Sequence, residues 1–284
     1  MRIYLYLLFL IFYAAVLHFL QIDKIPPLLP SSQLGLRYLS ALLSLGSILV
    51  FYLYVKNLLK NKKIALLSSW ILTILPWTIE QSRIYSQINI ALSVFLIFIF
   101  LLNKLNNLIF KILIFVICYL LFVFVYPQFW VFRDSSNTLL KVDYLNNIFF
   151  LLSTTFLFLK NITFWWGGVR DFGVMYISFL PLFMIGIYQT IILRKYQVLI
   201  WFGLILLVSL MSPFLPESRE FFLICPFLSI MLGLGMAKLK EKRFLFLLIS
   251  IFLLYEMFQF FHFYTIHYPL QIRGGIDHIN ETLL

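Results

Sequence analysis

The sequence predicts an all-α membrane protein, a polytopic helical bundle, and three observations carry that prediction. Apolar residues make up 63% of the 284 and charged residues only 12%, against about 25% charged in a soluble domain. The apolar residues fall in long runs of the kind that cross a bilayer. The basic residues fall in short clusters between those runs, which is how membrane loops are charged. A net charge of +11 would otherwise suggest nucleic acid, but its dispersal over separate loops argues against that partner. Membrane lipids are the expected surroundings. Mean hydropathy is +0.99, more than a soluble core could hide.

Taken in order, the runs give about nine transmembrane helices in a single polytopic domain, residues 1–284. They lie near 3–20, 37–56, 64–79, 86–103, 108–126, 174–193, 197–212, 220–237 and 244–262. The first follows Arg2 and has no small-residue cleavage site after it, so it reads as an uncleaved span rather than a signal peptide. The connections holding Lys56, Lys60, Lys62, Lys63, Lys104, Arg194, Lys195, Lys238, Lys240, Lys242 and Arg243 then share one side, with Glu241 the one acid among them. The positive-inside rule makes that side cytoplasmic. The N-terminus is then cytoplasmic and the C-terminus outside, with the chain integral to the cell membrane. Residues 146–159 are apolar but short, and making them a span would flip every later loop. They read as a re-entrant or interface-lying helix inside a long outer loop, about 127–173, with Trp165 and Trp166 as interfacial aromatics.

Cys118 and Cys225 lie inside apolar runs and read as small core residues. The four histidines lack ligand spacing, so no protein-built metal site and no cofactor is expected; whether a divalent metal is needed stays open. The Asn161 and Asn280 sequons match by composition alone.

The residues suited to chemistry gather on the opposite, outer side. Asp23 follows the first span and Arg37 opens the second. Glu80 and Arg83 follow Pro76 and Trp77 at the end of the third. Arg170 stands beside Asp171 after a Gly-Gly pair, and Arg219 stands between Glu217 and Glu220. Charges at helix ends are ordinarily solvated. Repeated pairing of a carboxylate with an arginine on one side also suits a cavity for an anionic, lipid-linked substrate. Arginine would hold phosphate, and a carboxylate would take a proton from an acceptor hydroxyl. The candidates are therefore Asp23 and Glu80 as catalytic carboxylates and Arg83, Arg219, Arg37 and Arg170 as substrate-binding groups. Glu256 lies mid-span in the last helix. There it reads either as a structural hydrogen bond to a neighbour or as a proton relay.

The order of segments resembles the GT-C type membrane glycosyltransferases. The pieces are IDKIPP (22–27), the stretch from LGLRYLS to the Pro-Trp and Ser-Arg unit (34–84), NITFWWGGVRDFGVMYISFLPLFMIGI (161–187), ESREFFLICPFLSIMLGLG (217–235) and the segment 263–283. The chain looks most like the dolichyl-phosphate-mannose-protein mannosyltransferase and aminoarabinose-transferase group. That resemblance implies a GT-C-like fold and transfer of a sugar from a polyprenyl-phosphate carrier to an acceptor on the outer face. It aligns Arg83 with the Ser-Arg position and Arg219 with the outer-loop arginine before the eighth span. Two departures stand out. The group carries an acidic pair in a long first outer loop, which here is short and lacks the pair. Gln87 stands where the group often has an acid. A transporter or flippase of lipid-linked sugars, and a non-catalytic membrane partner protein, are the alternatives.

Overall fold

A computed structural model of the protein describes residues 2–19, 22, 34–84, 87–105, 144–159, 169, 172–210 and 219–270. Every regular element among these residues is helical. The elements are α1 (Arg2–Phe19), α2 (Leu34–Leu59), α3 (Lys62–Ile74), α4 (Pro76–Arg83), α5 (Gln87–Lys104), α6 (Tyr144–Leu151), α7 (Leu180–Ile192), α8 (Tyr196–Leu210), α9 (Cys225–Leu239) and α10 (Arg243–His262). Short 3₁₀ turns, Ile177–Phe179 and Arg219–Ile224, lead into α7 and α9. Single π turns follow α6 (Thr155–Leu159) and α10 (Phe263–His267).

The bundle is that of a membrane protein. Three described stretches are long and apolar enough to cross a bilayer: Leu34–Leu59, Phe221–Leu239 and Arg243–Leu270. A fourth is the pair α3 and α4, bent by 62°. The expectation of one continuous span over 64–79 is corrected by that bend. Leu75 precedes a proline and is pushed out of the helical region, to φ −58° and ψ 134°. Pro76, with no amide hydrogen to place, then starts a new helix. The expected span at 108–126 lies outside the described residues, as does most of the loop 127–173. The segment 146–159 is broken after Leu151, and its helix of 8 residues is far below the roughly 20 needed to cross.

Helix α9 is the centre. Every residue from Cys225 to Gly235 is buried, and the sequence there is apolar all round, as a central helix requires. Its small residues set the packing distance. A Cβ on Gly235 would overlap the Leu182 carbonyl of α7, one on Gly186 would overlap the Met231 carbonyl of α9, and one on Gly233 would overlap Ser68 of α3. Without side chains at these points the backbones meet closely, a common device where lipid supplies no hydrophobic drive between helices. Helix α2 packs on α3 and α5. Its seam with α5 is polar: Ser47 and Ser93 share a 2.7 Å hydrogen bond, and the Asn89 amide donates to the Ser40 carbonyl at 2.9 Å.

Contacts fix the relative directions of α2, α3, α5, α7 and α9. Ser40 meets Asn89 and Ser47 meets Ser93, so α2 and α5 run the same way. Trp77, just past α3, packs edge-on against Phe221, just before α9, so α3 and α9 run oppositely. Val174 and Met175 donate to the Phe156 and Leu157 carbonyls, and Phe156 also touches Trp77, so α7 starts at the same end as α9. The Lys195 ammonium donates to the Leu58 carbonyl, joining the α7–α8 turn to the α2–α3 loop. The basic connections therefore meet at one end of the bundle. Their caps are local. Asn61 accepts from the Lys63 and Ile64 amides and starts α3. Arg194, at φ 52°, closes α7 with bonds from its own amide to Ile191 and from Lys195 to Thr190, a Schellman turn built without glycine.

Candidate functional site

At the other end, the close of α1, the start of α2, the whole of α4 and the close of α10 come together. The sequence placed Glu80 and Arg83 on a water-facing rim. The structure corrects this, because the bend at Pro76 turns α4 inward. Glu80 is 1% exposed and Arg83 2% exposed. Glu80 accepts a 2.8 Å hydrogen bond from the Val169 amide through Oε1, while its Oε2 is buried without a hydrogen-bond partner. A carboxyl group so far from water needs such a donor to stay in place.

Arg83 lies over the ring of Tyr264, with Cζ 5.0 Å from the ring centroid. That contact holds the guanidinium flat against an aromatic face, a favourable cation–π arrangement. Tyr264 belongs to a ladder on α10: Phe260, Tyr264 and Tyr268 stack at four-residue spacing, with centroids 5.6 and 5.4 Å apart. All three are buried. The π turn Phe263–His267 sits within this ladder, and single π turns inside helices often mark functional positions.

Arg37, also buried, donates from Nη1 to the Ile22 carbonyl at 3.0 Å and so ties the chain after α1 to the start of α2. Tyr264 lies within electrostatic reach of Arg83, Glu80 and Arg37, and Tyr268 within reach of Glu80 and Arg37. The structure thus gathers three of the six residues singled out from the sequence. Asp23 and Arg170 lie outside the described residues. Arg219 opens the 3₁₀ turn before α9, and its side chain lies outside them as well.

Sequence reasoning missed three members of this cluster. His18, on the last turn of α1, is fully buried and within electrostatic reach of Arg83. Tyr264 and Tyr268 are the others. His18 carried a usable signal, because after Arg2 it is the one side chain of this apolar helix that ionises near neutral pH. The tyrosines were hidden among the 16 of the chain.

Glu256 makes structural hydrogen bonds. Its two oxygens accept from the Ile177 and Ser178 amides at 2.9 and 3.0 Å, capping the 3₁₀ turn ahead of α7. Beside it lies a cleft of about 290 Å³ walled by Phe158, Phe172, Tyr176 and Phe263, with Gln259 on its rim. Among the described residues no group of three or more His, Cys, Asp or Glu is placed to hold a metal ion.

No protein-family model, curated protein or solved structure matches the chain.

Proposed function

We propose that the protein is a membrane glycosyltransferase of the GT-C kind, or a relative that keeps that architecture, and that it moves a sugar from a polyprenyl-phosphate carrier to an acceptor. The observation that carries this reading is that Arg37, Glu80 and Arg83 are all buried and within electrostatic reach of one side chain, Tyr264, where four helices end. Arginine matches phosphate with a planar fork. A buried site raises the value of each such contact, because water no longer screens it. In the reaction the acceptor oxygen attacks the sugar C1, the C1–O bond to the phosphate breaks, and the polyprenyl phosphate leaves with the bonding electrons. Glu80 takes the acceptor proton through Oε2, and Arg83 and Arg37 steady the phosphate. The departure in the first outer loop gives Glu80 this role, since the acidic pair of the group is absent from that loop.

The same reading puts the basic end in the cytoplasm and the arginine cluster at the outer face of the cell membrane. About nine spans result, with the C-terminus outside. Labelling of single cysteines at Lys62 and Asp277 from opposite sides supports it, and labelling of both from one side rules it out.

A transporter of lipid-linked sugars is the rival, and the cleft at Glu256 favours it. Against that role, both oxygens of Glu256 are engaged by backbone amides. The deciding experiment is a transfer assay with polyprenyl-phosphate sugars on membranes containing the protein. Transfer is expected with the wild type and a loss of at least tenfold with Arg83→Lys, which keeps charge and loses the fork. Transport without transfer would replace this reading by its rival.

A further inference from the structure

The buried end of the bundle holds polar atoms that the fold does not use. Neither ring nitrogen of His18 has a hydrogen-bond partner, although the side chain is fully buried. The hydroxyls of Tyr264 and Thr78 and the Oε2 atom of Glu80 are in the same condition. A buried polar atom without a partner has lost its hydration with no compensating bond. Folded proteins satisfy nearly all such atoms, so each exception asks for a cause. Such atoms also occur elsewhere in the bundle, at Tyr54, Ser68, Tyr176, Ser178 and Ser209, but at this end two of them converge on Arg83. His18 at the close of α1 lies within electrostatic reach of Arg83, and the ring of Tyr264, in the π turn after α10, lies against the guanidinium.

We infer that His18 and Tyr264 complete, together with Arg83, a buried receptor for the phosphoryl group of the lipid carrier. The inference rests on the glycosyltransferase reading and adds two residues to it. The chemistry of the set selects the ligand. An imidazole N–H, a phenol O–H and a guanidinium are all donors, and a phosphate presents only acceptors at neutral pH. Glu80 Oε2 is an acceptor, so it faces a ligand hydroxyl rather than the phosphate. A phosphoryl group can meet the donors of this set, and a hydroxyl carried on it can meet Glu80 Oε2.

Unused donors also predict an unusual pattern in variants. If a side chain is structural, removing it weakens the fold. If it waits for a ligand, removing its polar atom leaves the free protein as stable or more stable and weakens only the complex. Tyr264→Phe removes one oxygen and keeps the ring under Arg83. His18→Leu removes both nitrogens, and His18→Gln keeps a donor.

The test uses the full chain in detergent, with thermal unfolding and equilibrium binding as readouts. The probes are a polyprenyl monophosphate, the matching polyprenol, inorganic phosphate and phosphatidylglycerol. Polyprenyl monophosphate is expected to raise the melting temperature of the wild type and the polyprenol to leave it unchanged. Inorganic phosphate is expected to protect only at much higher concentration, which would place the lipid rather than the free ion in the site. Tyr264→Phe and His18→Leu are expected to melt no lower than the wild type without ligand and to bind polyprenyl monophosphate at least tenfold more weakly, with His18→Gln between. If both variants bind as the wild type does while Arg83→Lys binds weakly, the receptor lacks His18 and Tyr264 and the glycosyltransferase reading stands. Protection by phosphatidylglycerol equal to that by polyprenyl monophosphate would mean a general anionic-lipid contact and overturn the inference. A wild type that polyprenyl monophosphate does not protect would overturn both. Should His18→Leu fail to fold, Tyr264→Phe alone decides.

Discussion

The two ends of the bundle hold charge in opposite ways. At one end Lys60, Lys62, Lys63, Arg194, Lys238, Lys240, Lys242 and Arg243 are exposed, and Glu241 meets Lys238 at 2.6 Å with both side chains at least half exposed. At the other end Arg37, Glu80, Arg83 and His18 are each 2% exposed or less. Residue types are shared between the ends, and so is position at helix termini. What differs is where the backbone carries them. The basic loops turn outward through ordinary caps, at Asn61 and at the Arg194 Schellman turn. The bend at Pro76 folds a whole short helix back into the protein. A charge at a helix end is therefore wetted or buried according to the geometry of the turn that follows or precedes it.

Substituting the same residue type at both ends sharpens the contrast. Glu80→Ala leaves the buried Val169 amide without its acceptor and opens a cavity where the buried carboxyl group stood. It should lower stability by about 3 kcal/mol, measured by denaturant or thermal unfolding in detergent. An intermediate effect is expected at the exposed end where a backbone cap is at stake. Asn61→Ala strips the acceptor from the Lys63 and Ile64 amides and should cost about 1 kcal/mol, with Asn61→Asp close to the wild type in the same measurement. Smallest is Glu241→Ala. Its ion pair is solvated, so the change should stay within about 0.5 kcal/mol and vanish in high salt. If Glu80→Ala were as mild as Glu241→Ala, the two ends would not differ in the way described.

Much of this architecture was legible in the sequence. The bounds of α1, α2 and α5 follow from apolar runs bracketed by polar residues. The sorting of basic connections to one end follows from counting runs, and the structure gives the same relative directions through contacts such as Lys195 to Leu58. The bonds of Glu256 were anticipated in kind, because an ionisable group in mid-span needs a partner. Its actual partner, the turn at Ile177 and Ser178, lies 79 and 78 residues away and has no local signature. The burial of Glu80 and Arg83 was missed because Pro76 was read inside the last turn of one span over 64–79, whereas it starts a new helix. Whether a proline ends a span or bends it inward depends on what waits to pack on the far side. Here that is Trp77 against Phe156 and Phe221, rings far apart in the chain. The tyrosine ladder escaped for the same reason. Stacking at four-residue spacing is ordinary in an aromatic-rich helix until a cation from elsewhere is laid on it.

The central position of α9 has a consequence for how the chain is made. Its stretch from Phe221 to Leu239 is as apolar as that of α2, so it is competent to enter a bilayer by itself during synthesis. In the finished protein it touches lipid almost nowhere. The glycines that admit α3 and α7 are then exposed to acyl chains until those helices, both made earlier, close around it. Assembly must therefore follow insertion, with the lipid that first solvates α9 squeezed out as its neighbours dock. A larger residue at Gly233 or Gly235 would leave synthesis and insertion untouched and stall the protein at that later step, as an inserted but unassembled chain open to membrane proteases.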